Sequence, residues 1–234
     1  MAYLYARSEK ILADVIKSFK IKTDIACVFD AFTPISSMYS DLIPKLSSTA
    51  LDSFLLFNSI NSTQDFLLQT QINYPIVVAA HTQTKGVGRK GNTWESPQGS
   101  MCFSHNFTID RSQLMLAQYM CSYSIYQALQ PIEGLLLKWP NDIYYYNTKL
   151  CGVLCNLTKV KDNKAFIIAG LGLNYNNAYK SQHLTKVKKN ISAGDIIVNY
   201  LHHLSSCMTD ENFHLRYSNA IMKYNAKQEN GKSR

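Results

Sequence analysis

Four short β-strand signals follow one another in the second half of the chain, without room for a helix between them. They are LLLKW, DIYYY, KLCGVLCNL and AFIIAGLGL, which together occupy residues 135–173. Parallel strands need a crossover of about a dozen residues or more, whereas antiparallel strands can be joined by a tight turn. This stretch therefore predicts antiparallel hairpins and not βαβ units.

Further strand signals precede the hairpins, and amphipathic helix signals lie on both sides of them. Such a succession of strands with few helices is typical of an α+β domain with a mixed sheet. The sequence predicts strands over 53–57, 75–80 and 101–109, and helices over 61–71, 112–130, 193–208 and 211–224.

A glycine-rich loop, QTKGVGRKGNTW, occupies residues 83–94 and contains the spacing G-x-G-x-x-G, starting with Gly86 and Gly88. This spacing forms a dinucleotide-binding turn only where a strand precedes it and a helix opens directly after it. A strand is predicted before the loop, but Pro97 and Gly99 interrupt any helix behind it. The loop is therefore predicted to join two strands, which argues against a Rossmann turn.

The net charge indicates the kind of partner, and the cysteines and apolar runs indicate the cellular setting. The net charge of +8, from 24 Lys and Arg against 16 Asp and Glu, favours an anionic partner. The densest basic cluster, residues 180–189, lacks the interleaved aromatics of a single-strand-binding surface, so no nucleic acid is expected. Six scattered cysteines form no CxxC pair, and no run of 18 apolar residues occurs. We predict a cytoplasmic, intracellular protein without a membrane partner.

Four polar or glycine-containing stretches lie at predicted element boundaries, where binding groups are commonly mounted. They are residues 61–63, the loop 83–94, residues 138–149 (KWPNDIYYYNTK) and residues 170–174 (GLGLN). Residues 138–149 carry a lysine at each end, and the loop carries an arginine. Cations that converge on one place are unfavourable unless an anion lies between them, so we predict one site for a triphosphate or an acyl phosphate.

The order of these motifs resembles that of a known enzyme family. GxGRxGNxWxSPxG, then KWPND, KLxGVL and GLGLN is similar to the biotin protein ligases, also called holocarboxylase synthetases. The resemblance covers residues 53–177 and continues weakly to residue 225. It implies an α+β fold like the class II aminoacyl-tRNA synthetase core, with a mixed central sheet flanked by helices. We expect a catalytic domain over 51–225, an N-terminal extension of unknown role over 1–50 and a polar tail over 226–234, without the family's usual small C-terminal β-barrel.

The resemblance implies ATP-dependent biotin ligation in two steps. Biotin and ATP would form biotinyl-5′-AMP, and the biotinyl group would pass to a lysine of a biotin carboxyl carrier domain in a carboxylase. Mg²⁺ is expected with the triphosphate, but no motif specifies its ligands. Two alternatives stay open: a catalytically weak biotin-binding remnant, and a related lipoate or octanoate ligase.

The resemblance also assigns roles to individual residues. Arg89 and Lys149 are the candidate catalytic residues: Lys149 would contact the biotin carboxylate and the α-phosphate, and Arg89 would hold the adenylate. The residues implied in ATP binding are Arg89, Trp94, Lys138, Asn141 and Asn174.

The residues implied in biotin binding come from three of the stretches named above, together with Gly152 shortly after residue 149. Two positions depart from the family pattern, since Gln64 stands where Asn is usual and Val87 where Arg is usual. The biotin-binding set is Ser62, Thr63, Gln83, Gly86, Val87, Gly88, Arg89, Lys149 and Gly152.

Overall fold

The computed structural model describes residues 2–6, 8–19, 25–27, 39, 41–45, 48–70, 72, 74–176, 183–188 and 191–231. Nine strands are found within these residues. They are β1 (Ala2–Ala6), β2 (Ile25–Cys27), β3 (Ser53–Ile60), β4 (Ile76–Gln83), β5 (Met101–Asp110), β6 (Leu135–Lys138), β7 (Asp142–Tyr145), β8 (Thr148–Lys161) and β9 (Lys164–Leu173).

The helices of the described residues differ widely in length, and no helix among them is long and apolar enough to cross a membrane. Short 3-10 turns at Arg89–Gly91 and Arg111–Leu116 supplement them. The helices are α1 (Glu9–Phe19), α2 (Leu42–Lys45), α3 (Thr63–Leu68), α4 (Ala117–Ala128), α5 (Leu184–Val187), α6 (Ala193–Thr209) and α7 (Phe213–Gly231).

The described strands form one mixed sheet in the order β2-β1-β3-β4-β5-β9-β8-β7-β6. The β1–β2 and β3–β4 pairs are parallel, and every other neighbouring pair in this order is antiparallel. The predicted hairpins over residues 135–173 are confirmed, because β6, β7, β8 and β9 pair in succession. The glycine loop joins β4 to β5, as predicted, so the Rossmann alternative is excluded.

Strand β1 is not predicted from the sequence, because five residues without polar and apolar alternation carry too weak a signal. In the structure β1 pairs antiparallel with β3, and Leu4 lies opposite Leu55. Both side chains are fully buried in one cluster with Val78 and Ile168. Residues 2–6 therefore continue the main sheet.

Helices cover both faces of the sheet. The larger core lies between the sheet and the helices α4 and α6, with Ala169 and Leu171 of β9 facing it. Leu67 of α3 packs in the cluster on the other face, together with Ile168. Since side chains alternate along a strand, Gly170 and Gly172 belong to the α3 face. The missing side chains at these glycines leave space on that face next to α3.

Candidate functional site

A cavity of about 310 Å³ occupies this space, between the start of α3, the glycine loop and the strands β7, β8 and β9. It gathers most residues that the sequence assigned to a site, although they come from three separate stretches of the chain. The predicted residues that line it are Ser62, Thr63, Gln83, Val87, Gly88, Arg89, Trp94, Asn141, Lys149 and Gly152.

The floor of the cavity is made of backbone because glycines stand where the indole of Trp94 approaches the sheet. A Cβ atom at Gly172 would lie 2.2 Å from Trp94 Cε2, and a Cβ at Gly152 would lie 3.1 Å from Trp94 Cζ3. Carbon atoms do not approach to 2.2 Å, and 3.1 Å is tighter than most real contacts, so the ring needs the glycine at 172 and packs closely over the glycine at 152. Trp94 thus forms an apolar wall of the cavity.

Gly172→Ala is expected to displace the Trp94 ring and to destabilise the fold by about 1–3 kcal/mol, the usual cost of overpacking. Urea unfolding followed by circular dichroism measures this change. Gly91→Ala is not a fair control, because Gly91 has φ 77° and an alanine there would be strained for a different reason. An unchanged free energy of unfolding in Gly172→Ala would contradict the packing described.

One end of the cavity is a hydrogen-bonded polar network. The Gln83 side-chain oxygen Oε1 accepts from the Thr63 N–H at 2.8 Å and lies 3.1 Å from Thr63 Oγ1. The Gln83 amide Nε2 donates to Ser96 Oγ at 3.1 Å, and Thr63 Oγ1 is 2.8 Å from Ser104 Oγ. This network holds hydroxyl and amide groups in fixed positions at the end of the cavity.

Ser62 has a structural role besides its predicted contact with biotin. Its hydroxyl oxygen accepts from the Asp65 N–H at 3.2 Å and so caps α3, and the side chain is buried. A serine cap of this kind stabilises a helix start by about 1 kcal/mol. Ser62 also lines the cavity, and its contact with biotin stays a prediction.

Gln64 also lines the cavity, but its place in the sequence did not identify it as a site residue. Its side-chain amide Nε2 donates to Asn156 Oδ1 at 2.9 Å and to the Ile168 carbonyl at 3.1 Å. These acceptors fix the orientation of the amide, so the oxygen Oε1 points to the opposite side, against Gly170. Gln64 is only 4% exposed, and its Oε1 is buried without a hydrogen-bond partner among the described residues.

The glycine loop is a tight turn with residues in the left-handed region. Lys90 has φ 55° and Gly91 has φ 77°. The Trp94 N–H donates to the Gly86 carbonyl at 2.8 Å, which closes the base of the loop. A Cβ at Gly86 would lie 2.3 Å from the Trp94 oxygen, so Gly86 shapes the loop without lining the cavity.

Arg89 extends from the loop across to the turn between β6 and β7. Its Nη1 donates to Asn141 Oδ1 at 3.0 Å. Asn141 is buried and is itself fixed, because its Nδ2 donates to the Val153 carbonyl at 2.8 Å. The guanidinium group is therefore held over one side of the cavity by a rigid partner.

Lys149 supplies the second cation. Its ammonium Nζ lies 2.7 Å from Asp142 Oδ1 and 5.5 Å from the centre of the Trp94 ring. The Lys149 side chain is 37% exposed and the Asp142 side chain 20%, so the ion pair remains accessible from the cavity. Asp142 holds the ammonium group in place, and both line the cavity with Arg89.

Two residues predicted to bind ATP lie outside the lining of the cavity. Lys138 Nζ stands over the rings of Tyr144, at 4.8 Å, and Tyr224, at 5.8 Å. Partial burial lowers the pKa of Lys138, but these two tyrosines outweigh it and the net shift is upward. Asn174 Nδ2 donates to the Lys149 carbonyl at 2.9 Å and so braces the backbone of the cationic residue. The nucleotide contacts of Lys138 and Asn174 stay predictions.

Val87 and Lys90 also line the cavity. Val87 is 41% exposed and brings no charge to the position where the family usually has arginine. The neighbouring Lys90 is exposed and cationic, but it was not assigned to the site from the sequence. Its left-handed backbone is visible only in the folded loop.

The site lacks a thiol nucleophile and a preformed metal cage. Burial raises the pKa of Cys102 to about 11 and also raises the pKa of Cys151, so both thiols stay protonated at neutral pH. Within the described residues, no group of three or more His, Cys, Asp or Glu could hold a metal ion. The chemistry available is the binding of an anion by cations and fixed polar groups.

The region of the site matches a protein family and two curated sequence relatives. Residues 56–174 match the profile of the Biotin/lipoate A/B protein ligase family. Biotin–protein ligase 2 of Arabidopsis thaliana is 30% identical over 159 residues, which cover 63% of this chain and 48% of that protein. Biotin–protein ligase of Homo sapiens is 32% identical over 172 residues, covering 62% of this chain and 24% of that protein. The chain thus spans about half or less of the length of these curated relatives.

Solved structures agree with this assignment. A biotin protein ligase from Aquifex aeolicus in complex with biotin and ATP superposes with a TM-score of 0.53 at 25% identity, covering 74% of this chain and 75% of that chain. A Leishmania major biotin protein ligase in complex with biotinyl-5-AMP gives a TM-score of 0.60 at 20% identity, covering 71% and 80%. These neighbours confirm the α+β fold with its mixed sheet and flanking helices. Since the family profile matches half of the sequence, the chain belongs to the biotin/lipoate A/B protein ligase family.

Proposed function

We propose that the protein is an ATP-dependent biotin protein ligase. The observation that carries the proposal is one cavity that has Lys149 and Arg89 on one side and the polar network of Thr63 and Gln83 at its end. An acyl phosphate needs cations near its phosphate, and a cyclic urea needs fixed polar groups near its nitrogens and oxygen. The names of the family relatives support biotin as the acid.

The first step would join biotin to the nucleotide. A carboxylate oxygen of biotin attacks the α-phosphorus of ATP, an oxygen–phosphorus bond forms, and the bond to the leaving pyrophosphate breaks. Two anions approach each other in this step, so positive charge must be fixed beforehand where negative charge accumulates. In this proposal Lys149, which lies beside Asp142 and Trp94, contacts the carboxylate and the α-phosphate.

The second step would consume the adenylate. The amine of an acceptor lysine attacks the acyl carbon, an amide bond forms and AMP leaves. A mixed anhydride hydrolyses in water, so the enzyme must hold it until the acceptor arrives. Arg89, anchored on Asn141, is the candidate for this retention, and the apolar face of Trp94 excludes water beside it. The proposed acceptor is a biotin carboxyl carrier domain of a biotin-dependent carboxylase.

Mg²⁺ belongs to the proposal only as a companion of ATP. The described residues offer Asp142 in the cavity but no set of three candidate ligands. Mg²⁺ keeps several water ligands and commonly enters with substrate phosphates. The ion would neutralise phosphate charge when bound, and the roles of Lys149 and Arg89 do not depend on its position.

A direct assay tests the proposal. The protein is incubated with labelled ATP, Mg²⁺ and either biotin or lipoate, and pyrophosphate release, adenylate and transfer to a carrier domain are followed. Biotin-dependent pyrophosphate release and transfer support the ligase. Biotin binding without pyrophosphate release identifies a binding remnant, and activity with lipoate alone identifies a lipoate ligase. Binding of neither acid contradicts the proposal as a whole.

The buried oxygen of Gln64 favours biotin over lipoate. A buried acceptor without a donor is costly, and a ligand N–H can satisfy it. The urea ring of biotin carries two N–H donors, whereas the dithiolane ring of lipoate carries none. The Gln64 side chain lines the same cavity as Thr63 and Gln83, so we assign it to the recognition of the urea ring.

Gln64→Met is expected to weaken biotin binding by about 5- to 100-fold, the cost of one buried hydrogen bond left unmade, and to leave lipoate binding unchanged. Calorimetric titration with biotin, desthiobiotin and lipoate measures the three affinities. Desthiobiotin keeps the urea ring, so its affinity should fall by the same factor. Gln69→Met, at an exposed position after the same helix, is the matched control. Equal losses for biotin and lipoate would contradict the role of Gln64.

A further inference from the structure

The C-terminal helix α7 contacts the turn that carries Asn141. Tyr217 of α7 is buried, and its hydroxyl donates to the Pro140 carbonyl at 3.0 Å. Burial raises the pKa of Tyr217, so the hydroxyl keeps its proton and remains a donor. Its ring stacks on Tyr119 of α4, with centroids 4.9 Å apart and planes at 26°. The hydroxyl is therefore held in one position relative to the core.

A second donor meets the same carbonyl from α4. Ser122 Oγ lies 3.2 Å from the Pro140 oxygen and is fully buried. The Ser122 hydroxyl also has backbone carbonyls of its own helix as partners, Gln118 at 2.9 Å and Tyr119 at 3.2 Å. One hydroxyl proton serves three acceptors, so Tyr217 is the dedicated donor to Pro140.

The contact continues from Pro140 to the cavity in two steps. The next residue, Asn141, is tied to β8 through its side chain and its own carbonyl, with Val153 as partner in both bonds. The remaining side-chain oxygen of Asn141 accepts from Arg89 Nη1. A displacement of the Pro140–Asn141 backbone would therefore move the acceptor that holds Arg89.

Helix α7 meets this segment at a second place as well. The ring of Tyr224 lies 5.8 Å from Lys138 Nζ and 6.2 Å from the ring of Tyr144. Lys138 and Pro140 flank the exposed Trp139. Tyr217 and Tyr224 thus fasten the segment on both sides of Trp139.

We propose that Tyr217 is a positioning residue that fixes the turn at Pro140 and Asn141 and, through Asn141, the place of Arg89. The inference rests on the proposed function, in which Arg89 retains the adenylate. Tyr217 does not line the cavity, so its effect must pass through the turn. Loss of the hydroxyl is expected to change the retention of the intermediate and not the recognition of biotin.

Tyr217→Phe keeps the ring and removes only the hydroxyl. We expect the adenylate to escape about three- to tenfold faster, as for the loss of one hydrogen bond, with the biotin dissociation constant unchanged within twofold. Escape is measured by trapping released biotinyl-AMP with an excess of free amine. The control is Tyr123→Phe, since among the described residues the Tyr123 hydroxyl bonds to Gln127 of its own helix and not to the turn. The Asn141→Ala variant should lose retention, and adding Tyr217→Phe to it should cause no further loss.

Three results would overturn the inference. The first is a folded Tyr217→Phe protein that retains its adenylate as the parent does. The second is a loss of biotin affinity as large as the loss of adenylate retention. The third is a loss of retention in the double variant that equals the sum of the losses in Tyr217→Phe and Asn141→Ala. If the parent forms no adenylate, the proposed function fails. The coupling between α7 and the glycine loop is then tested in the ligand-free protein, by the rate of tryptic cleavage after Arg89 and Lys90. Faster cleavage in Tyr217→Phe than in Tyr123→Phe then supports the coupling between α7 and the loop, and equal cleavage rejects it.

Discussion

Lys149→Met is expected to lower the rate of biotin-dependent pyrophosphate release by about 100- to 1000-fold, the effect of removing one preorganised group that stabilises developing charge. The substitution keeps a long, flexible side chain but removes the ammonium group that lies beside Asp142 and Trp94. Asp142 is then left without its cation at the point where two anionic substrates must meet. The repulsion between Asp142 and the anionic substrates and the loss of the ammonium charge both lower the rate of the first step.

The measurement is pyrophosphate release in a single turnover with biotin and ATP in excess. Lys159→Met is the matched control, because Lys159 lies on the same strand, exposed beside the Phe166 ring and outside the cavity. Biotin binding should weaken much less than the rate falls, since the polar end of the cavity is untouched. A Lys149→Met protein with parental release rates would remove Lys149 from the proposed chemistry.

Arg89→Gly is expected to leave adenylate formation measurable but to release the intermediate about 10- to 100-fold faster. The Arg89 guanidinium makes a charge-assisted hydrogen bond to Asn141 across the cavity, and bonds of this kind contribute about 1.5–3 kcal/mol. Without it the glycine loop loses its tie to the turn between β6 and β7. Val87 cannot compensate, because it is uncharged.

Escape of the adenylate is visible as biotinylation of bystander proteins that are no natural acceptors. Arg111→Gly, at an exposed position in the 3-10 turn before α4, controls for the loss of one positive charge. Addition of free amine should abolish the bystander labelling in Arg89→Gly by consuming the released adenylate. Retention equal to that of the parent would show that Arg89 does not hold the intermediate.

The part of the fold with local signals could be predicted from the sequence. The four strands over 135–173 are so close together that only hairpins can join them. The breakers Pro97 and Gly99 act within a few residues of their own position. Strand β1 escaped prediction because its place is set by pairing with β3, about 50 residues away.

The residues of the candidate site also fall into two groups, those identified from sequence motifs and those recognised only in the folded structure. Arg89, Lys149, Gln83 and Trp94 were identified because their motifs resemble a family, and the structure brings them to one cavity. Gln64 was seen only as a departure from the motif. Its meaning depends on Asn156 and the strand β9, which fix the amide and, within the part of the chain that the structure describes, leave its oxygen without a donor.

The sequence by itself determined the antiparallel hairpins and the loop between two strands, since each depends on neighbours in the chain. Its motifs also made Arg89 and Lys149 the candidate cations, through their resemblance to a family. The tertiary structure alone decided which cation faces the cavity. Lys138 and Lys149 are eleven positions apart in one motif, yet Tyr224 of α7 and Tyr144 hold Lys138 outside the cavity, while Asp142 and Trp94 hold Lys149 at it. The physical reason is that a side chain's direction is set by the packing partners that folding brings from distant parts of the chain.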